Sequence, residues 1–125
     1  MELVKSNQDV KVLVGHILRH NTTYRKVAQM IHDGAIGKPM IIRMTQNHHA
    51  KNLERYRHLI EQTSPIIDCG VHYLDVMQWF TEARIVDVQG YGLRTEQDLP
   101  DDKYNYEMVT VRLDDGSLGY YEAGW

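Results

Sequence analysis

The chain has 125 residues, 42% of them hydrophobic and 25% charged, and this length and composition suit one globular domain with its own core. Its formal net charge of -3 gives no reason to expect nucleic acid or an anionic membrane as a partner. One cysteine cannot form an internal disulfide, no stretch resembles a secretion signal and none is apolar enough to cross a bilayer, so we expect a cytoplasmic protein.

The first half of the chain predicts a strand, a helix and a second strand. Residues 11–14 form a short apolar run that predicts a strand. Asn21 or Thr22 can cap a helix that ends at Gly34. The apolar residues of this helix fall on one face at helical spacing: Tyr24, Val27, Ala28 and Ile31. Residues 40–46 then predict the second strand.

A polar and charged segment follows from residue 47 to residue 62. Within it, four apolar residues are spaced as in a short helix: Leu53, Tyr56, Leu59 and Ile60. A loop at this position, immediately before the most chemically suggestive segment of the chain, tends to shape a pocket. A further helix is predicted over residues 71–80.

The last third of the chain predicts three strands, over residues 85–92, 106–113 and 117–125. Asp114-Asp115-Gly116 is a hairpin signal between the last two, because glycine tolerates the positive φ that such turns need. With the strand at 40–46 these segments predict an α+β domain, a mostly antiparallel sheet with helices packed on one face.

Asp68 and His72 are the strongest catalytic candidates. If the helix has already formed at Asp68, a spacing of four places the two side chains on one face, one turn apart. Histidine exchanges protons near neutral pH, and a neighbouring carboxylate can orient the imidazole, with Asp75 able to support it from the next turn. The alternative is that this pair only caps the helix or satisfies a buried polar group.

Asp68 and His72 lie in a segment that starts at Ser64 and reads Ser-Pro-Ile-Ile-Asp-Cys-Gly-Val-His-Tyr-Leu-Asp. This segment resembles the catalytic segment of the glucose-fructose oxidoreductase and inositol dehydrogenase (Gfo/Idh/MocA) family. Upstream, the strand from Val12 that ends in a glycine and leads to Arg19 is similar to a second block of that family. Gly-Ala-Ile-Gly-Lys-Pro, from Gly34, is similar to a third block. Three ordered blocks cover most of residues 12–90.

The resemblance also identifies what the chain lacks. Members of the family begin with a nucleotide-binding Rossmann domain that carries a glycine-rich turn and a catalytic lysine. Gly90-Tyr91-Gly92 lacks the third glycine and opens no convincing helix, so we expect no Rossmann domain here. The resemblance implies that residues 1–125 are a single substrate-binding and oligomerisation domain, incomplete at its C-terminal end, of a parent that uses NAD or NADP. We expect neither cofactor to bind this chain alone.

The reaction that the resemblance implies is oxidation of a secondary alcohol of a sugar or cyclic polyol. The hydride goes to nicotinamide, His72 accepts the hydroxyl proton and Asp68 holds His72 or a neighbouring hydroxyl. Asn47, His48 and Arg19 are the candidate substrate-binding residues. The alternative for Asn47 and His48 is that they lie in a solvated loop. The alternative for Arg19 is an ion pair with a carboxylate. Because half of the catalytic machinery is missing, we expect this chain alone to be inactive.

Two other interpretations remain. The family uses the open face of its sheet for subunit contact, which implies a homo-oligomer and allows a non-catalytic oligomerisation or sugar-binding module. The second interpretation is a metal site built from five residues, although their spacing matches no zinc pattern. Those residues are His48, His49, His58, His72 and Asp75.

Overall fold

The computed structural model describes residues 5–7, 9–47, 59–96 and 99–125. Its main helical elements are one 3₁₀ turn, two α-helices that we name α1 and α2, and one turn of π-helix that we call the π-turn. They span Ile17–His20 (3₁₀), Thr22–His32 (α1), Ile66–Gly70 (π-turn) and Val71–Thr81 (α2). The strands are Ile41–Asn47 (β1), Ile85–Leu93 (β2), Tyr106–Leu113 (β3) and Leu118–Gly124 (β4).

The four strands form one mixed sheet in the order β1-β4-β3-β2. The β2–β3 and β3–β4 pairs are antiparallel, whereas β1 lies parallel to β4, with Ile41 opposite Leu118 and Asn47 opposite Gly124. A parallel pair needs a crossover connection, and the helices between β1 and β2 supply it. The predicted α+β class, with a mostly antiparallel sheet, is confirmed.

Side chains alternate between the two faces of this sheet, and only one face carries the helices. Val109, Val111 and Leu113 of β3 and Tyr121 and Ala123 of β4 are buried on the helix-covered face. They pack against a helical layer that contributes four further residues of the main core: Ala28, Val76, Met77 and Phe80. Cross-strand partners share a face, so the paired residues in between lie on the open face.

Local sequence signals set the ends of several elements as predicted. The Asn21 side chain accepts hydrogen bonds from the backbone N–H groups of Thr23 and Tyr24, at 2.9 and 3.3 Å, and so caps α1. The Asp114-Asp115-Gly116 turn joins β3 to β4, and Gly116 takes the expected positive φ of 86°. Both predictions are confirmed.

The predicted strand at residues 11–14 is wrong. Residues 11–16 have no regular secondary structure, and Leu13 is 91% exposed. A strand is stable only when its backbone groups pair with a neighbour, and no described strand lies beside this segment. An apolar run alone was therefore not sufficient to form a strand.

The remaining predictions differ from the structure mainly at element boundaries. The first sheet strand runs over Ile41–Asn47, one residue later than predicted, and β4 is Leu118–Gly124 within the predicted 117–125. Leu59 and Ile60 lie in helical backbone, as predicted. Leu53 and Tyr56 lie outside the described residues.

Candidate functional site

The π-turn carries Asp68 and leads directly into α2, which carries His72. A π-helix closes hydrogen bonds between residues i and i+5, and the N–H of Val71 donates to the carbonyl of Ile66 in this way. Such turns are rare and frequently occur at functional sites. The helix has thus formed at Asp68, but with a wider turn than the spacing argument assumed.

The Asp68 side chain is exposed, whereas the Cys69 side chain beside it is buried. The Cys69 thiol donates a hydrogen bond to Asp68 Oδ2 across 3.2 Å. Burial, and then the Asp68 carboxylate, raise the pKa of this thiol to about 11. Cys69 therefore stays protonated at neutral pH and acts as a donor to the carboxylate, which argues against a nucleophilic role.

His72 lies one turn after Asp68 and is half-buried. Its Nδ1 atom is buried and has no hydrogen-bond partner among the described residues. No hydrogen bond joins Asp68 to His72 in the part of the chain that the structure describes. Buried polar atoms are normally paired, and the described residues do not supply the partner of this ring nitrogen.

Tyr121, on the helix-covered face of β4, lies against the π-turn and is completely buried. Its ring stacks on Tyr73 with centroids 5.0 Å apart, and its hydroxyl donates to Gln46 Oε1 at 3.4 Å. Burial raises the pKa of Tyr121 far above its usual value, and Asp68 and Cys69 add to the shift. The sequence alone singles out neither Tyr121 nor Gln46, because no local pattern links β1 or β4 to Asp68.

Arg19 is committed to an ion pair inside the helical layer. Its Nε and Nη2 atoms donate to the two carboxylate oxygens of Asp75 at 2.7 and 2.8 Å. This hydrogen-bonded pair raises the pKa of the guanidinium, which also lies 5.6 Å from the centre of the Trp79 ring. The structure thus matches the ion-pair alternative, in which Arg19 fastens the 3₁₀ turn to α2. Substrate binding by Arg19 stays a prediction.

Asn47 does not share a face of the sheet with Asp68 and His72. It pairs with Gly124, and its Oδ1 lies 3.3 Å from where a β-carbon on Gly124 would stand, next to the Tyr106 ring on the open face. The neighbouring residue Gln46 is the one that points toward the helices, since strand side chains alternate. His48 lies outside the described residues, so its substrate-binding role stays a prediction.

The described residues do not fit a dinucleotide. Gly90 and Gly92 lie within β2, and a β-carbon on Gly92 would come within 2.4 Å of the Tyr104 ring. These glycines serve strand packing and leave no backbone cradle at a helix start, where a pyrophosphate binds.

Metal binding and membrane insertion can be addressed for the same residues. Across residues 5–7, 9–47, 59–96 and 99–125, no three His, Cys, Asp or Glu side chains are placed to hold a metal ion. His48, His49 and His58 of the metal interpretation lie outside these ranges. None of the described helices has the length and apolar character that a bilayer crossing needs.

Residues 24–125 match the family model of the GFO/IDH/MocA C-terminal domain. An inositol 2-dehydrogenase of Rubrobacter xylanophilus is 25% identical over 112 residues, which are 90% of this chain and 31% of that protein. The chain therefore spans about a third of the length of that relative. The match begins after Arg19 and includes the complete π-turn and α2.

Solved structures show the same fold. Myo-inositol 2-dehydrogenase from Lactobacillus plantarum superposes with a TM-score of 0.83 at 19% identity, covering 98% of this chain and 38% of that one. Scyllo-inositol dehydrogenase from Lactobacillus casei, solved with bound NAD(H) and scyllo-inositol, gives 0.75 at 21% identity, with 98% and 38% covered. UDP-N-acetylglucosamine 3-dehydrogenase from Acidithiobacillus ferrooxidans gives 0.69 at 22% identity, with 98% and 37% covered.

Proposed function

The chain belongs to the Gfo/Idh/MocA oxidoreductase family as its C-terminal domain, and from that premise we propose that it is the substrate-domain portion of an NAD(P)-dependent dehydrogenase. The parent oxidises a secondary alcohol of a sugar or cyclic polyol and works in the cytoplasm. The observation that carries this proposal is the half-buried His72, one helical turn after the exposed Asp68, with an Nδ1 atom that has no partner among the described residues.

In this proposal His72 accepts the proton of the substrate hydroxyl as the carbon is oxidised. An imidazole is suited to this task because histidine is the side chain that most often serves as a general base in enzymes. Asp68 holds the substrate or the imidazole through its carboxylate, and the Cys69 thiol fixes one carboxylate oxygen. Gln46, which points toward the helices near the end of β1, and His48 are the candidates for hydroxyl recognition.

The hydride acceptor, NAD or NADP, takes up the two electrons of the alcohol when it is bound. Since the described residues offer it no cradle, it is held elsewhere in the parent. Proximity of acceptor, substrate and base is most of what such an enzyme supplies. We therefore propose that this chain alone is inactive.

The test is a His72→Ala substitution in the full-length protein that contains this chain, assayed with NAD and NADP against a panel of cyclic polyols and sugars. We expect kcat to fall by about 100-fold or more, the usual contribution of general acid-base catalysis, with a smaller change in KM. A control substitution, Gln29→Ala on α1, should leave turnover unchanged. Turnover that survives in the His72→Ala protein would refute the base assignment and favour a non-catalytic sugar-binding module.

We further propose that the parent is a homo-oligomer and that the open sheet face is its interface. Ile41 and Leu118 lie side by side on that face and are 63% and 49% exposed. They line a groove of about 480 Å³ together with Arg43, Thr110 and Tyr120. Apolar surface of this kind, rimmed by polar residues, is typical of protein contacts.

The charges of the open face support a second copy as the partner. Arg43 and Arg112 are cationic, whereas Asp87 and Glu122 are anionic, and all four lie on this face. A two-fold axis brings the same patch against itself, so a surface with both signs can pair its own charges.

Leu118→Glu tests the interface. Placing a carboxylate in the centre of the apolar patch should convert the oligomer to monomer in sedimentation velocity runs at micromolar concentration. Val71→Glu is the matched control, because Val71 is also exposed but lies in the helical layer. An unchanged sedimentation coefficient for Leu118→Glu would refute the proposed interface without affecting the His72 assignment.

A further inference from the structure

The π-turn needs support from outside its own segment. Its N-terminal residue Ile66 follows Pro65, whose side chain offers no cap to the first N–H groups. Single π turns are less stable than α-helix, so their position depends on the structure packed around them. Asp68 sits in the middle of this turn and His72 follows it, and both side chains therefore move if the turn moves.

Glu107 of β3 holds the start of the π-turn. Its Oε2 atom accepts a hydrogen bond from the Ile66 backbone N–H at 2.8 Å, across a sequence separation of 41 residues. Glu107 pairs with Gly92, which the Tyr104 ring covers, and with the small Ala123, and its side chain rises toward the helices between them. A carboxylate at the start of a helical segment is also favoured by the helix dipole.

Tyr121 of β4 holds the other end of the same turn. A β-carbon on Gly70 would stand 2.9 Å from Cε1 of the Tyr121 ring and 3.2 Å from Cγ2 of Ile66. Real β-carbons do not approach a ring that closely, so the ring and the glycine define how near the π-turn comes to the sheet. Stacking on Tyr73 fixes the ring itself.

We propose that Glu107 and Tyr121 are positioning residues, which set the place of Asp68 and His72 by fastening the π-turn to the sheet at its two ends. Neither side chain needs to touch substrate. This inference rests on the proposed function for its catalytic consequence, but the positioning itself is a property of this chain.

Glu107→Met and Glu107→Gln test the first fastening in the full 125-residue chain. Methionine keeps the length of the side chain but accepts no such hydrogen bond, whereas glutamine retains an oxygen acceptor. We expect the Ile66 amide to lose its hydrogen-exchange protection in Glu107→Met, and the carbon-13 carboxyl signal of Asp68 and the ring signals of His72 to shift. Glu107→Gln should preserve all three.

Tyr121→Phe and Tyr121→Leu test the second fastening. Phenylalanine keeps the ring and should leave the Asp68 and His72 signals in place, whereas leucine should displace them. Gly70→Ala should displace them as well, and Gly70→Ala combined with Tyr121→Leu should recover part of the change, since the smaller side chain makes room for the new methyl group.

Leu113→Ala is the control for general loss of stability, because Leu113 is equally buried but lies at the other end of β3. It should lower stability and leave the Ile66, Asp68 and His72 signals unchanged. If Glu107→Met and Tyr121→Leu both leave the Asp68 and His72 signals where they were, or if Leu113→Ala moves them equally, the positioning role is refuted.

The catalytic consequence is measured in the full-length protein. Glu107→Met should lower kcat by about 10- to 100-fold with little change in KM, as expected for misplaced catalytic groups, and Glu107→Gln should restore most of the rate. The signals in the chain report positioning whether or not His72 is the base. A surviving rate in His72→Ala would therefore refute the proposed function while leaving the positioning result to stand on those signals.

Discussion

The two faces of the sheet are built from the same strands but have opposite surroundings. On the helix-covered face, Leu113 and Tyr121 are fully buried, and the π-turn with Asp68 packs on that side. On the open face, Ile41 and Leu118 are 63% and 49% exposed, beside charged and tyrosine side chains. Because side chains alternate along each strand, one face of the sheet supports the candidate site and the other face is left for the proposed partner.

The largest difference between the faces should appear in the free energy of unfolding. Leu113→Ala deletes a fully buried side chain and should cost about 3 kcal/mol. Leu118→Ala removes the same atoms from a half-exposed position and should cost less than about 1 kcal/mol. Urea unfolding at sub-micromolar concentration, where association contributes least, measures both. Equal costs would contradict the assignment of the two faces.

The next largest difference between the two faces should appear in the reactivity of a thiol placed on each of them. The pKa of Cys69, raised to about 11, keeps it protonated, so its alkylation by iodoacetamide at pH 8 should be at least about tenfold slower than that of an ordinary exposed thiol. The matched control is Thr45→Cys in a Cys69→Ser background, since Thr45 is exposed on the open face.

The pH dependence of the two alkylation rates distinguishes a raised thiol pKa from poor access of the reagent to the thiol. The Cys69 rate should keep rising toward pH 11, whereas the Thr45→Cys rate should level off above its ordinary pKa of about 8.5. Replacing Asp68 with asparagine removes a group that raises the thiol pKa, so it should bring the Cys69 profile to lower pH. A Cys69 rate that levels off near pH 8.5 would contradict the burial of this thiol.

The smallest expected effect concerns the link between β1 and the β3–β4 hairpin, where the two faces meet. Lys38 Nζ lies 2.8 Å from Asp115 Oδ2, and Asp115 Oδ1 accepts from the Ser117 backbone N–H and hydroxyl. The lysine first, and then Ser117, lower the pKa of the Asp115 carboxyl well below its usual range.

A depressed carboxyl pKa stabilises the fold above the unfolded value of about 4 and loses that effect as the pH falls further. The urea midpoint of the chain should therefore exceed that of Asp115→Asn at pH 6, with the gap narrowing between pH 4 and pH 2. Lys38→Met should reduce the gap at pH 6. A gap that is constant with pH would show that the contact is not electrostatic.

What could be predicted from the sequence was whatever a local pattern encodes. The cap at Asn21, the hairpin at Gly116 and the sheet strands all follow from residues within a few positions of one another, and all three are confirmed. The prediction of a strand at residues 11–14 was wrong because an apolar pattern indicates that a segment can pair but does not identify the strand it would pair with.

The candidate site was less accessible to sequence reasoning for the same reason. Asp68 and His72 stood out through their spacing, but the π-turn that displaces one from the other has no local signature. Glu107 reaches Ile66 from 41 residues away, which only the register of β3 determines. Asn47 and Gln46 exchange faces with a shift of one residue, so a strand boundary alone could not decide which of them points toward the helices.

The parallel pairing of β1 with β4 also has a consequence for folding during synthesis. Ile41 leaves the ribosome well before its partner Leu118, which follows only after the π-turn, α2 and two further strands have been made. Chains emerge at about 5–20 residues per second, so β1 waits for several seconds with its backbone groups unpaired. During that interval its apolar residues are open to chaperones and to other nascent chains, and translation speed across the last two strands should influence the yield of folded protein.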